Sequence, residues 1–426
     1  MTNFKKQIFS VIAAGSLLVS VVTPSFAATT VQISGNGAGS DNFTQVDQTN
    51  TNTVSQTNTA NVTNNVTSNA STGGNDANFN TGGNVTVGTG NAGTTTNVSN
   101  ALNSNAAQVA NCNCGGNTDV TVSGNGAFSD NTVTLDKTNT NTVAQTNTAN
   151  VDNNIHSDAK TGGNDASSNT GGNVMIGTGN ASTTTNVTTD ANANVASIGG
   201  GVGSGSSAAF KIIGNGAGSS NWIDADLNNT NTIAQSNSAE ISNDVHADAK
   251  TGGNDAGFNT GGDVMIGTGN ATANATVDNM VNFNSASLDC GCITDVLAKI
   301  DGNGANPLGG DNFGFNFPWT ADNTILLDLG NTNVVAQGNV GDLNNDVYAK
   351  AKTGYNDTSL NTGSVSDPSD PSIHTGNATD TSTVHNSGNV NQVGGTPITF
   401  PLPGGTSLGF SFSLQALMAF FGFSST

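Results

Sequence analysis

From Thr138 to Lys160 the chain alternates with a period of two. Even positions carry Thr138, Thr140, Thr142, Thr146, Thr148, Asp152, His156, Asp158 and Lys160; odd positions carry Asn139, Asn141, Val143, Gln145, Asn147, Ala149, Val151, Ile155 and Ala159. Charges keep to one parity and large aliphatics to the other, the pattern of a half-buried strand; a helix would mix the two sets within two turns. The alternation returns with Glu240, Asp244, His246, Asp248 and Lys250 opposed to Ile233, Ala239, Ile241, Val245 and Ala249. It returns again with Asp342, Asp346, Lys350 and Lys352 opposed to Val335, Leu343 and Val347. Because this segment is longer than an ordinary strand, it is predicted to bend while keeping its inside and outside.

These strands belong to a repeat. TGGNDASSNTGGNVMIGTGNA at Thr161–Ala181 matches segments at Thr72–Ala92 and Thr251–Ala271, with an eroded copy from Thr353 to Ala378. The markers Gly35–Ala38, Gly124–Ala127, Gly214–Ala217 and Gly302–Ala305 divide the chain into units 28–119, 120–208, 209–296 and 297–394. The last unit carries an insert at 306–319, just after its marker, where a loop tolerates it. Glycines of the TGG steps suit positive-φ corners, and Val174-Met175-Ile176 reads as a short strand between them.

The pattern predicts an all-β chain, a β-solenoid built from four ~90-residue repeats whose coils stack about 4.8 Å apart. Inward Asn and Gln would satisfy one another as axial amide ladders. A coil of roughly 18 to 22 residues, a common solenoid size, would give on the order of 18 coils and a body of roughly 90 Å. The competing architecture is four small antiparallel β-sandwich units.

The two ends differ from the repeats. Residues 1–27 have Lys5 and Lys6, an apolar run and Ser25-Phe26-Ala27, the layout of a signal peptide, which predicts export and an extracellular or cell-surface location. No later stretch is long and apolar enough to span a bilayer as a helix. The tail, residues 395–426, alternates through Phe410, Phe412 and Leu414 and continues as an apolar run including Leu417, Phe420 and Phe421. These residues are expected to cap an open solenoid end, to anchor the chain at a membrane surface or to serve assembly by inserting into a neighbouring subunit.

Gly, Asn, Thr and Ser dominate and aromatics make up only 5%, which would suit a disordered chain, but the strict spacing and the kept alternation argue for order. All 9 basic residues are lysines against 30 acids, for a net charge of −21. That balance excludes a phosphate-backbone binder, so no nucleic-acid partner is expected.

Candidate chemistry is sparse. Cys112, Cys114, Cys290 and Cys292 form two Cys-x-Cys pairs, disulfide candidates in an oxidising compartment, with connectivity left open. His156-x-Asp158-x-Lys160 and His246-x-Asp248-x-Lys250 place three titratable groups on one face, replaced by Tyr348 and Lys350 in the fourth unit and by Thr67 and Asn69 in the first; a solvated face is the expectation. Asp165 and Asp255, in the glycine corners, resemble Gly/Asp calcium repeats and are the calcium candidates; no other cofactor is expected. Threonine runs such as Thr49, Thr51, Thr53 and Thr138, Thr140, Thr142 could present a hydroxyl array of the ice-binding kind, although they decay to Thr332 and Val334. Nothing is spaced as a nucleophile with its base, as paired buried carboxylates or as a phosphate loop, so the chain is expected to be no enzyme.

Taken together, GNGA…NTNTVxQxNxA…TGGNDA…NTGGxVxIGTGNA resembles secreted Asn/Gly/Thr-rich repeat proteins of uncultivated small-genome bacteria, a family without an assigned activity. The likeness covers nearly all of the chain after residue 27. The step Gln145, Asn147, Ala149 is also similar to curli subunits, whose repeat is far shorter; that likeness implies amide stacking and not common descent. The expected function is an exported, non-enzymatic structural or adhesive cell-surface repeat protein, self-assembling or joined to other surface components. The alternative is a ligand-binding β-solenoid using exposed Thr and Asp faces for calcium, glycan or ice. A polysaccharide-processing enzyme would need acids clustered in a groove, which the alternation does not supply.

Overall fold

A computed structural model describes residues 6–21, 29–109, 117–199, 206–289, 293–304, 322–362, 371–394, 398–401 and 407–410. Among them every regular element is a strand. β1 (Lys6–Val21) precedes the first repeat, which contributes β2 (Thr29–Ser34), β3 (Asp41–Ser71), β4 (Val85–Gly88) and β5 (Ala92–Val109). The second contributes β6 (Thr118–Ser123), β7 (Asp130–Lys160), β8 (Val174–Gly177) and β9 (Ala181–Gly199). The third contributes β10 (Ser206–Ile213), β11 (Ser220–Lys250), β12 (Val264–Gly267) and β13 (Ala271–Asp289). The fourth contributes β14 (Ile293–Asp301), β15 (Asp322–Lys352), β16 (Ser372–His374) and β17 (Ala378–Val393). A hairpin of β18 (Ile398–Pro401) and β19 (Ser407–Phe410) follows.

Equivalent strands of successive repeats pair in parallel, in the orders β14-β10-β6-β2, β15-β11-β7-β3, β16-β12-β8-β4 and β1-β5-β9-β13-β17. The register sets each residue beside its counterpart: Asn52 by Asn141, Asn141 by Asn231, Asn231 by Asn333. Four separate sandwiches are excluded, because these sheets run through all four repeats. The expected coil of roughly 18 to 22 residues is also wrong: one repeat makes one coil, and the solenoid has four layers. The reason lies in the ladders. An amide ladder joins like to like, and a step of one whole repeat, 89 or 90 residues between the first three coils, puts an asparagine beside an asparagine. The insert 306–319 lies outside the described residues; coils three and four are 88 residues apart before it, 102 after it and 107 from β16 onward, and the register resumes each time.

Each coil is a flattened loop with two walls. One wall is a strand of 31 residues, such as β7, which alternates outward and inward along its whole length. It runs as one uninterrupted strand where a bend was expected, since neighbours above and below pair its edges. The other wall is the return strand followed by the short strand that opens the next coil. The clusters between them prove the antiparallel crossing: Val133 and Leu135 pack with Val120 and Val122, Val143 with Val109, Val151 with Leu102, and Ile155 with Val98. Ile155 and Val151 are fully buried, whereas the side chains of Lys160 and Asp158 keep 52% and 14% exposure. Burying each large aliphatic contributes about 1.5–3 kcal/mol. At the far corner Gly163 (φ 75°) and Gly171 (φ 91°) turn the chain around β8, whose Val174 and Ile176 pack on Ala166.

The alternation fails at two places. Lys137, one residue ahead of the window in which charges keep to the outer parity, points inward and is buried. On the return wall the inward set changes parity at Asn103, Asn192, Asn282 and Asn389, all in the left-handed region (φ 55°–64°). Asparagine tolerates that conformation better than most residues. The bulge re-aims the strand so that Leu102 and Val109 both face the interior.

Candidate functional site

The feature that the sequence folds into being is a set of axial amide columns. Asn52 Nδ2 donates to Asn141 Oδ1 (2.8 Å), Asn141 to Asn231 (2.9 Å) and Asn231 to Asn333 (2.9 Å). The column of Asn64, Asn153, Asn243 and Asn345 runs the same way. The glutamine column is reversed: Gln337 Nε2 donates to Gln235, Gln235 to Gln145, and Gln145 to Gln56. Across the interior, Asn147 Nδ2 bonds Asn194 and Asn105 Nδ2 bonds Asn147, both between opposite walls. Buried amides cost little when every donor finds an acceptor, and the column arrangement meets that condition coil after coil.

A column with direction leaves a molecule with two unlike ends. Asn52 and Asn50 present acceptor ends of their columns on the first coil; Asn333 and Asn331 present donor ends on the fourth. Among the described residues β2, β3 and β4 have a strand on one side only, as do β14, β15, β16 and β17, while the outer edge of β5 is paired with β1. Long open edges of this kind are templates for further pairing.

Glycines mark how closely coils approach. A Cβ at Gly73, Gly162 or Gly252 would run into the carbonyl of the next coil's glycine, the last of these being Gly354. Among the described residues a Cβ at Gly354 meets nothing within 4 Å. A second column is closed in the opposite sense: Gly179, Gly269 and Gly376 are blocked by the preceding coil, and Gly90 is open.

Like charges also stack. Asp47, Asp136, Asp226 and Asp328 form one outward column, and Asp76, Asp165, Asp255 and Asp357 another. Desolvation, and then Asp328, Asp136 and Asp224, hold Asp226 above the ordinary carboxylate range. On the return wall burial, with Asp278 nearby, pushes Asp190 up to about 6. Burial lowers Lys137 to about 8; its Nζ donates to Thr118 Oγ1 at 3.1 Å and to Thr29 Oγ1 at 3.3 Å.

The predicted site residues fall as follows. Asp165 and Asp255 cap the glycine corner: Asp165 Oδ2 accepts from Asn78 Nδ2 (2.9 Å), and Asp255 Oδ1 accepts from the Gly257 amide (2.9 Å). Among the described residues no group of three or more His, Cys, Asp or Glu side chains is set to hold a metal ion. His156 and His246 stack at 6.1 Å between ring centroids and His246 and Tyr348 at 5.8 Å, while Lys160 pairs with Asp158 at 2.6 Å. Thr51, Thr140, Thr230 and Thr332 make an outward column. Cys112, Cys114, Cys290 and Cys292 lie outside the described residues, as do Phe412, Leu414, Leu417, Phe420 and Phe421; the backbone of Phe410 is in β19 opposite Ile398. No helix among the described residues is long and apolar enough to cross a membrane. Sequence reasoning missed Gly354, Gly90 and the column ends, whose signal was the retention of glycine and asparagine at one place in every repeat.

Comparisons of the chain with protein-family models, curated proteins and solved structures give no match.

Proposed function

We propose that the protein is an exported, non-enzymatic structural component of the cell surface, a stiff acidic body built to stack. The observation that carries this reading is the amide columns, which commit the interior to axial cohesion through all four coils. An interior so used offers cross-links in place of a chamber for a small substrate, and the outer face of hydroxyls and carboxylates suits an aqueous exterior. The leader-like residues 1–27 support export.

Brief protease treatment of intact cells tests the location: the protein should be lost from whole cells while a cytoplasmic marker survives. Full protection in unbroken cells would sink the proposal. A second reading, an adhesive surface for calcium or glycan, is favoured by the in-register Thr and Asp columns. It requires calcium or a surface glycan to raise the melting temperature, and an unchanged melt in both removes it.

A further inference from the structure

We propose that the fourth coil of one molecule receives the first coil of a second copy of this chain, head to tail, with the register continued. The proposal rests on the structural reading above and gives it a partner and a direction.

Column polarity supplies the direction. Setting Asn52 of a second copy over Asn333 places a donor against an acceptor, and Asn50 over Asn331 does the same. Two fourth-coil ends would meet donor to donor in these columns, so pairing between like ends is disfavoured. A contact between unlike ends does not close on itself and continues as a filament.

The glycine columns supply the clearance. Among the described residues a Cβ at Gly354 would meet nothing within 4 Å, yet those at its equivalents Gly73, Gly162 and Gly252 would each run into a carbonyl one coil further on. A docked copy would bring its own Gly73 to that place. Gly90 is the counterpart on the incoming first coil, which would settle against Gly376 of the receiving molecule.

One edge is occupied while residues 6–21 are present. β1 lies along β5, Lys6 beside Thr94 through Val21 beside Val109, the edge that β17 of the other copy needs. Removal of the leader therefore opens the last of the four edges, and assembly follows export.

The test uses the chain expressed through a secretory host, with intact mass reporting whether residues 1–27 are gone. Wild type without the leader should form filaments with a meridional repeat of about 4.8 Å, and chains retaining the leader should not. Gly354→Ala and Gly90→Ala should each melt like wild type, yet remain monomeric in sedimentation velocity at concentrations at least about tenfold above the wild-type assembly threshold. Mixed in equal amounts they should form dimers and nothing larger, because each has one usable end. Dimers from either variant alone would show pairing of like ends and overturn the polarity. Filaments of leader-bearing chains would overturn the role given to β1. Leader-free wild type that stays monomeric, while still being shaved from intact cells, would overturn docking and leave the cell-surface reading standing.

Discussion

Gly252 and Gly354 occupy the same place in consecutive coils, and they obey different rules. A methyl group on Gly252 would enter the carbonyl of Gly354; a methyl group on Gly354 would meet no described residue within 4 Å. Neither residue has a positive φ, so turn conformation is not what separates them. The demand for glycine arises from the coil above, and it disappears where that coil is missing. In a stacked chain, then, the tolerance of a position is a property of its layer as much as of its local sequence.

The sharpest break of that contrast is Gly252→Ala, expected to cost more than about 4 kcal/mol because backbone must move, whereas Gly354→Ala should stay within about 0.5 kcal/mol. Denaturant midpoints of the two variants measure both; equal losses would refute the layer rule. Next comes the aliphatic column through Ile155 and Val347, the first fully buried and the second half-buried. Ile155→Ala should cost about 2–5 kcal/mol and Val347→Ala roughly 1 kcal/mol, by the same measurement.

Lys137 breaks its own layer: Gln48, Leu227 and Leu329 hold the same place in the other coils. Its folded pKa, about 8, lies below the ordinary value of 10.5. The cost of burying the charge is therefore present in full below pH 8 and fades as pH rises toward 10.5, so wild type should gain stability across that window. Lys137→Leu should stabilise by about 2 kcal/mol at pH 7 and flatten the profile. Asp190 has the opposite sign. With a folded pKa raised from 3.8 to about 6, the stability it allows is complete below pH 3.8 and is lost as pH climbs through 6. Asp190→Asn should remove that decline and add on the order of 1–2 kcal/mol at pH 7. Melting temperature across pH 4–10 separates the two residues, and a profile unaltered by either substitution would contradict both assignments.

Much of this was legible in the residues. The parity of Thr138 to Lys160 announces a long two-sided strand, and the TGG steps announce the corners, because both are local consequences of side-chain direction and φ. Coil length was not, since the alternation reads the same whether a strand is followed by a coil of twenty residues or of ninety. What decides it is the partner of each amide, a nonlocal fact: Asn52 needs another asparagine above it, and the next equivalent one is Asn141. The change of parity at Asn103 left a trace in the Asn-x-Asn steps Asn103-Ser104-Asn105 and Asn192-Ala193-Asn194, where Leu102 and Val109 fall on opposite parities. No charged residue on β5 marks inside from outside there. Lys137 was hidden for a simpler reason. A lysine is expected in water, and only the leucines at the same place in later coils, Leu227 and Leu329, betray that the position is interior.

Carboxylates set one above another at a coil spacing of about 4.8 Å stand closer than the ~7 Å at which two unit charges in water repel with thermal energy. A line of charge that dense gathers mobile cations from solution without any residue ligating one, much as a duplex gathers them along its phosphates. The ridge of Asp47, Asp136, Asp226 and Asp328 therefore wears an ionic sheath whose thickness follows the salinity of the surroundings. A molecule of net charge −21 would repel its neighbours in fresh water and tolerate them in brine, side by side as well as end on.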